Sequence, residues 1–272
     1  MAELSKLTGN RAVKVNIIIA KRDRNDSYLT CLHYINNFDH IDQYDVRVYT
    51  YEDKADNRDY IISAAGKFSN ITLDYKVPYI NPDIKKFNKA KLLDMMLREM
   101  RQDYDWWSLI DADMIYRPDF LDLIKVHAEQ GNAVISLGHH MPQDECDIQD
   151  DHRSGNVRSF ADLQTCFASK GYSQKSIPKQ YYRKLLATLN INSLYDTMGY
   201  RFIGYGGEDV YALNILSLYA RYVNKDLVML ENMWKHIWHV KETIDQRQWE
   251  KNKRNLLPLK REIQRRLASC RA

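Results

Sequence analysis

Asp111-Ala112-Asp113 directly follows the apolar run WWSLI at 106–110. Side chains two apart on an extended chain point the same way, so both carboxylates can face one spot beyond a strand's end. In open α/β sheets that carboxyl edge is where ligands bind. Two hard carboxylates suit a divalent cation, or one metal contact and one ribose hydroxyl. An acidic surface triplet is the plainer alternative. Gly204-Tyr205-Gly206-Gly207-Glu208-Asp209 is the second candidate. Its glycines allow close backbone approach by a ligand, and the acidic pair offers a general base. Read structurally, the same stretch is a tight turn with Asp209 in the first turn of a helix, where the dipole favours it. His236 and His239 stand three apart, on one helix face or converging from a loop on one ion. Imidazole with carboxylate and phosphate oxygens suits a Mn²⁺-like ion better than zinc. Arg22 and Arg24 follow the first apolar run, where guanidinium forks could hold phosphate or a base edge, or lie in an exposed charged turn. Together these groups fit transfer from a diphosphate-activated substrate.

The elements that must position them alternate. Residues 13–20 read as a strand buried on both faces, 27–38 as a helix, and 44–51 (YDVRVYTY) and 71–75 as strands. Asn81-Pro82-Asp83 signals a helix start. That helix would run to about 101, with Phe87, Ala90, Leu93, Met96, Leu97 and Met100 on one stripe. A strand at 106–110 follows. This order implies α/β architecture, a mainly parallel sheet with crossover helices. Residues 143–159 read as an exposed acidic loop, 179–189 and 210–222 as helices, and 227–230 as a short strand. From 247 onward nine Lys/Arg face only Glu250 and Glu262, a basic helical tail.

Composition narrows the field. The 272 residues are 44% hydrophobic, enough for a sizeable core, which excludes a wholly disordered chain. Lys+Arg 40 against Asp+Glu 36 is too mild an excess to imply a polyanion partner without a local patch. The 19 tyrosines suit a core that reaches into wet clefts. Cys31, Cys146, Cys166 and Cys270 form no C-x-x-C pair, which argues against a zinc ribbon and for a reduced, cytoplasmic protein. No apolar run approaches the length of a spanning helix, and VNIIIA lacks the features of a signal segment.

With those residues in view, the chain resembles glycosyltransferases of the GT-A fold, and among them the β-1,4-galactosyltransferase family. Residues 17–24 (IIIAKRDR) are similar to the family's strand ending in P-F-R-x-R, and 87–93 (FNKAKLL) to F-N-R-A-K-L-L. Asp111-Ala112-Asp113 matches its D-V-D, and 204–209 matches G-W-G-G-E-D with Tyr for Trp. His236-x-x-His239 is similar to its metal ligands. The likeness spans about 13–245 and implies a nucleotide-diphospho-sugar transferase, Rossmann-like in layout. The nucleotide-binding half would be about 13–115, the acceptor and sugar half about 116–245, and the basic tail 246–272.

The resemblance also implies roles. Arg22, Arg24, Phe87 and Lys89 would line the uridine nucleotide, and Asp111 would reach the ribose or the metal, with Ala112 beside it. Asp113, His236 and His239 would ligate Mn²⁺, or Mg²⁺ in its place. Asp209 would deprotonate the acceptor hydroxyl, while Tyr205, Gly206, Gly207 and Glu208 would contact sugar. Related retaining enzymes carry Asn at the last position of that turn, so Asp209 implies inversion. The expected activity is transfer of a hexose, galactose or a relative, from a UDP-sugar to a hydroxyl of a glycan or lipid-linked glycan. A loop between 236 and about 256 would close over the donor. Ala20 and Lys21 depart from the family's Pro and Phe, its F-G-G-V-S segment is not recognisable, and 143–200 would shape the sugar pocket instead. No anchor precedes the domain, which points to a soluble bacterial-type or viral-type enzyme, cytoplasmic and able to sit peripherally on the inner membrane surface through its tail. The rival expectation is a nucleic-acid or anionic-membrane binder on a catalytically idle fold; of these partners nucleic acid is the less favoured.

Overall fold

The computed structural model describes residues 11–54, 58–78, 87–142, 158–169, 174–196, 207–237 and 246–270. Its strands are β1 (Val13–Lys21), β2 (Tyr44–Glu52), β3 (Ile71–Lys76), β4 (Trp106–Leu109), β5 (Met114–Tyr116), β6 (Ala133–His140), β7 (Phe167–Ser169), β8 (Lys175–Pro178) and β9 (Leu227–His236). Its helices are α1 (Asn25–Asn36), α2 (Arg58–Ala65), α3 (Lys89–Glu99), α4 (Phe120–Glu129), α5 (Lys179–Leu189), α6 (Glu208–Tyr222) and α7 (Gln246–Ser269).

Among the described residues all nine strands join one sheet in the order β3-β2-β1-β4-β8-β6-β9-β5, with β7 on β6 outside that path. The longest ladders, β1–β2, β2–β3 and β6–β9, are parallel. β8 is antiparallel to both β4 and β6, and β5 to β9. β1 shows why the centre is stable: from Val15 onward every residue is buried, as β-branched side chains flanked by strands on both sides require. Its side chains alternate between two cores. Ile18 and Ala20 pack with Tyr49 and Tyr51 in the core that also holds Leu93, Leu185, Ile215 and Ile263, from α3, α5, α6 and α7. Val15, Ile17 and Ile19 pack with Leu32, Ile61 and Ile124, from α1, α2 and α4. The chain is thus a sheet between two helical layers, the α/β architecture that the element order implies.

Some boundaries differ from the sequence reading. The described part of α3 begins at Lys89, because Asn88 is non-helical and its side chain caps the helix by accepting from the Lys91 N–H at 3.3 Å. Asn81-Pro82-Asp83 and most of the 143–159 loop lie outside the described residues. β9 runs on from the expected 227–230 to His236 because β6 and β5 pair with its second half. The tail is integral to the packing: Leu259, Ile263 and Leu267, spaced by four, bury one stripe of α7 in the first core. Burying each such side chain contributes about 1.5–3 kcal/mol relative to leaving it exposed. Among the described residues no helix is long and apolar enough to cross a membrane.

Candidate active site

β1 and β4 run side by side and end at the same edge, where Ile110 N–H still donates to Ile18 O at 3.1 Å before the chain turns through Asp111-Ala112-Asp113. β8 runs antiparallel to β4 with Lys175 opposite Leu109, so Gln174 and Lys175 arrive at that edge from the other direction. Gln174 is 1% exposed and reads Asp111 with both ends of its amide. Its Nε2 donates to Asp111 Oδ2 at 2.9 Å, and its Oε1 accepts from Asp111 N–H at 3.2 Å and from Tyr116 OH at 2.6 Å. A side chain bonded in this way fixes where the carboxylate points.

The other oxygen of Asp111 meets α3: Lys89 Nζ donates to Oδ1 at 2.8 Å. The same ammonium lies 3.7 Å from Asp209 Oδ2. Gly207, at φ 93, turns the chain into α6, and Glu208 and Asp209 open its first turn, where the dipole favours acidic groups. Asp209 Oδ1 is buried and faces a second ammonium, Lys175 Nζ, at 3.5 Å. Lys175 in turn donates to Tyr195 OH at 3.3 Å. Burial lowers the Lys175 pKa and the charge of Asp209 only partly offsets it. Burial also holds the Tyr195 hydroxyl well above its usual range, with the nearby Asp209 charge adding to the effect. One chain of contacts therefore joins the D-A-D turn to the first turn of α6 through Lys89, and that helix start to the core through Lys175.

Asp113 points elsewhere. β5 pairs Met114 with His236, and Ile237 N–H donates to Asp113 O at 2.9 Å, so the strand end carries His236 up to the carboxylate. His236 Nε2 lies 3.4 Å from Asp113 Oδ2, an oxygen that also accepts from Arg24 Nη1. His236 Nδ1 is 3.2 Å from His140 Nδ1. Arg24 reaches Asp113 because it sits in the left-handed region at φ 55 just before α1. A carboxylate oxygen and an imidazole nitrogen at this separation fit neighbouring positions on one ion with bonds of about 2.1 Å. His239 lies outside the described residues, and among the described ones no three His, Cys, Asp or Glu are grouped to hold a metal.

The structure thus gathers Arg24, Lys89, Asp111, Asp113, Asp209 and His236 at one edge, with Ala112 buried between the two aspartates. Arg22, also at this edge, is buried and turned to Asp53, its Nε 3.4 Å from Oδ1. Phe87 is half-buried against the first core. Glu208 is buried at 2% exposure. Tyr205 and Gly206 lie outside the described residues. Three residues of the site escaped the sequence reading: His140, Gln174 and Lys175. Only an antiparallel β8 inserted beside β4 could have flagged Gln174 and Lys175, and no local pattern announces that insertion. Tyr195 falls in the 143–200 segment expected to shape the sugar pocket, though the sequence gives it no partner.

No family model matches the sequence, and no curated protein does. Solved structures match in three dimensions. Residues 1–349 of S. aureus TarS in complex with UDP-GlcNAc superpose with a TM-score of 0.56 at 12% identity, over 94% of this chain and 71% of that one. The mannosyltransferase PcManGT of Pyrobaculum calidifontis, in complex with GDP-Man and Mn²⁺, gives 0.53 at 12% identity, over 90% and 62%. The chain has the GT-A fold. The catalytic domain of Drosophila β1,4-galactosyltransferase 7 with xylobiose is also similar, at a TM-score of 0.47 and 12% identity over 89% and 79%. At these identities the likeness establishes the fold, and chemistry must be argued from the side chains.

Proposed function

We propose that this GT-A chain is a divalent-cation-dependent glycosyltransferase that moves a hexose from a UDP-sugar to an acceptor hydroxyl with inversion. The observation that carries the reading is Lys89, whose ammonium lies against Asp111 and Asp209, carboxylates brought together from motifs far apart in sequence. A partly exposed acid, buried cations and an imidazole–carboxylate pair at one sheet edge are what such a transfer needs. The similar fold of proteins held with GDP-Man and Mn²⁺, or with UDP-GlcNAc, supports a nucleotide-sugar donor.

In this reading Asp209 accepts the acceptor's hydroxyl proton. The hydroxyl oxygen forms the new bond to the anomeric carbon as the bond to the diphosphate breaks on the opposite face, and that electron pair leaves with UDP. A positioned base of this kind contributes about 10²–10⁴-fold. Lys89 and Arg24 bring positive charge to the donor side. Asp113 and His236, with His239, would hold Mn²⁺, whose chemistry when bound is to neutralise charge on a departing diphosphate. The test is a panel of UDP-sugars incubated with Mn²⁺ and read by UDP release, beside Asp209→Asn. No release from any donor, together with no UDP binding by calorimetry, would remove the reading.

The outer face of α7 favours a further detail about the acceptor. Lys253, Arg254, Lys260, Arg261 and Arg265 are exposed there, around Leu257 at 55% exposure. Basic side chains flanking an exposed apolar one suit an anionic bilayer, and hence an acceptor presented on it. Co-sedimentation with vesicles of anionic lipid, but not with zwitterionic ones, is the expected result; equal sedimentation with both would end this detail.

A further inference from the structure

We propose that Lys175 is a positioning residue for Asp209, locking the inner carboxylate oxygen so that the outer one is presented to the acceptor. This rests on the transferase reading above. The geometry is specific. Asp209 is 24% exposed as a side chain, yet among the described residues its Oδ1 is buried without a hydrogen-bond partner and is held only by the charge of Lys175, whose Nζ lies 3.5 Å away. Its remaining oxygen, Oδ2, is the one that Lys89 approaches at 3.7 Å. The two ammonium groups therefore lie against opposite oxygens, Lys175 wholly buried and Lys89 at 3% exposure.

A wholly buried lysine is an expensive way to fill space. The Lys175 side chain is 0% exposed, and its charge is opposed by desolvation more than it is favoured by its neighbours. Methionine would occupy a similar volume at that strand position without the penalty. What methionine cannot do is hold a carboxylate at a fixed angle. Tyr195 OH, accepting from the same ammonium at 3.3 Å, fixes Lys175 in turn, since the tyrosine is itself fully buried. The order of support is Tyr195, Lys175, Asp209, acceptor.

Positioning of this sort acts on the chemical step and leaves donor affinity alone, because the Lys175 side chain is wholly buried. Lys175→Met should lower kcat by about tenfold or more while the UDP-sugar KM stays within about twofold. Tyr195→Phe, which removes only the oxygen, should lower kcat in the same direction by less. The decisive comparison is made in Asp209→Asn. With the base already gone, Lys175→Met should leave the residual rate unchanged, a non-additivity that a merely structural lysine would not give. An unchanged kcat in Lys175→Met, or full additivity with Asp209→Asn, overturns the proposal. If the wild-type chain turns over no UDP-sugar, the transferase reading fails, and the melting temperatures of the two single variants and the double variant then decide. Coupled shifts uphold Lys175 as the group that orients Asp209; additive ones overturn that as well.

Discussion

His140 and His236 stand opposite each other on neighbouring parallel strands, their Nδ1 atoms 3.2 Å apart and their ring centroids 4.8 Å apart. Between two neutral imidazoles one Nδ1 carries the hydrogen and the other accepts it. When His236 is the donor, its Nε2 lone pair faces Asp113 Oδ2, the arrangement that a divalent ion requires. His140→Phe keeps a ring in place and removes the acceptor. The expected result is a loss of about 10- to 100-fold in Mn²⁺ affinity, read by electron paramagnetic resonance of free Mn²⁺ without any sugar nucleotide. Affinity equal to wild type would deny His140 this part.

That histidine marks where sequence reading stops. Asp111, Asp113 and Asp209 could be singled out because their chemistry and their place are both local: a carboxylate pair ending an apolar strand, and an acidic pair after glycines. β1 and β2 could be read because parallel central strands are apolar or alternating throughout. β8 could not, since KSIP is four residues of mixed polarity, buried only because β4 and β6 enclose it. Gln174, Lys175 and His140 enter the site through that enclosure and through the β6–β9 register. Long-range pairing of this kind leaves no period in the sequence. The tail shows the converse: its basic composition draws attention to the solvent side, while the stripe of Leu259, Ile263 and Leu267 ties it to the core.

Asp209 and Asp113 should separate by the step each affects. Asn at 209 keeps the shape and cannot accept a proton, so kcat should fall by about 10²–10⁴-fold with UDP affinity retained. Asn at 113 keeps the shape but weakens the acidic pole shared by Arg24 and His236, so Mn²⁺-dependent UDP binding should be lost first. Calorimetry with UDP, with and without Mn²⁺, distinguishes them. A retained rate in Asp209→Asn would show that the base lies elsewhere.

Gly138 makes a stability prediction away from the chemistry. It sits in β6 where the register against β9 shifts between Ser136 and Gly138, and a Cβ there would overlap the carbonyl and indole of Trp234. Trp234 cannot yield, because it is 1% exposed and its indole N–H donates to Ser136 O at 2.9 Å. Gly138→Ala should therefore destabilise by about 1–3 kcal/mol or more, as overpacking does. Urea unfolding would read it as a lower midpoint with an unchanged slope. Because β6 and β9 carry His140 and His236, Mn²⁺ binding should weaken in the same variant. A midpoint equal to wild type would mean that the bulge opens freely.

The alkaline limb of stability should be set by buried tyrosines and lysines acting with opposite signs. Tyr28, Tyr116, Tyr182 and Tyr195 are buried and held above the usual phenol range, burial being the main cause in each, and burial pushes Tyr104 up to about 12. The folded state keeps protons that the unfolded chain releases near pH 10, so this stability is whole below about pH 10 and is lost as pH rises from there through the folded values. Lys21 and Lys175 run the other way. Burial lowers both, so between their folded values and about 10.5 the unfolded chain binds more protons, and folding gains as pH rises. The expected curve of urea midpoint against pH climbs on the approach to about 10 and then drops steeply. Tyrosinate absorbance should rise together with the loss of far-ultraviolet circular dichroism, because these phenols cannot ionise until the sheet opens. Most of the tyrosine signal appearing near pH 10 with the fold intact would contradict the burial on which the sign depends.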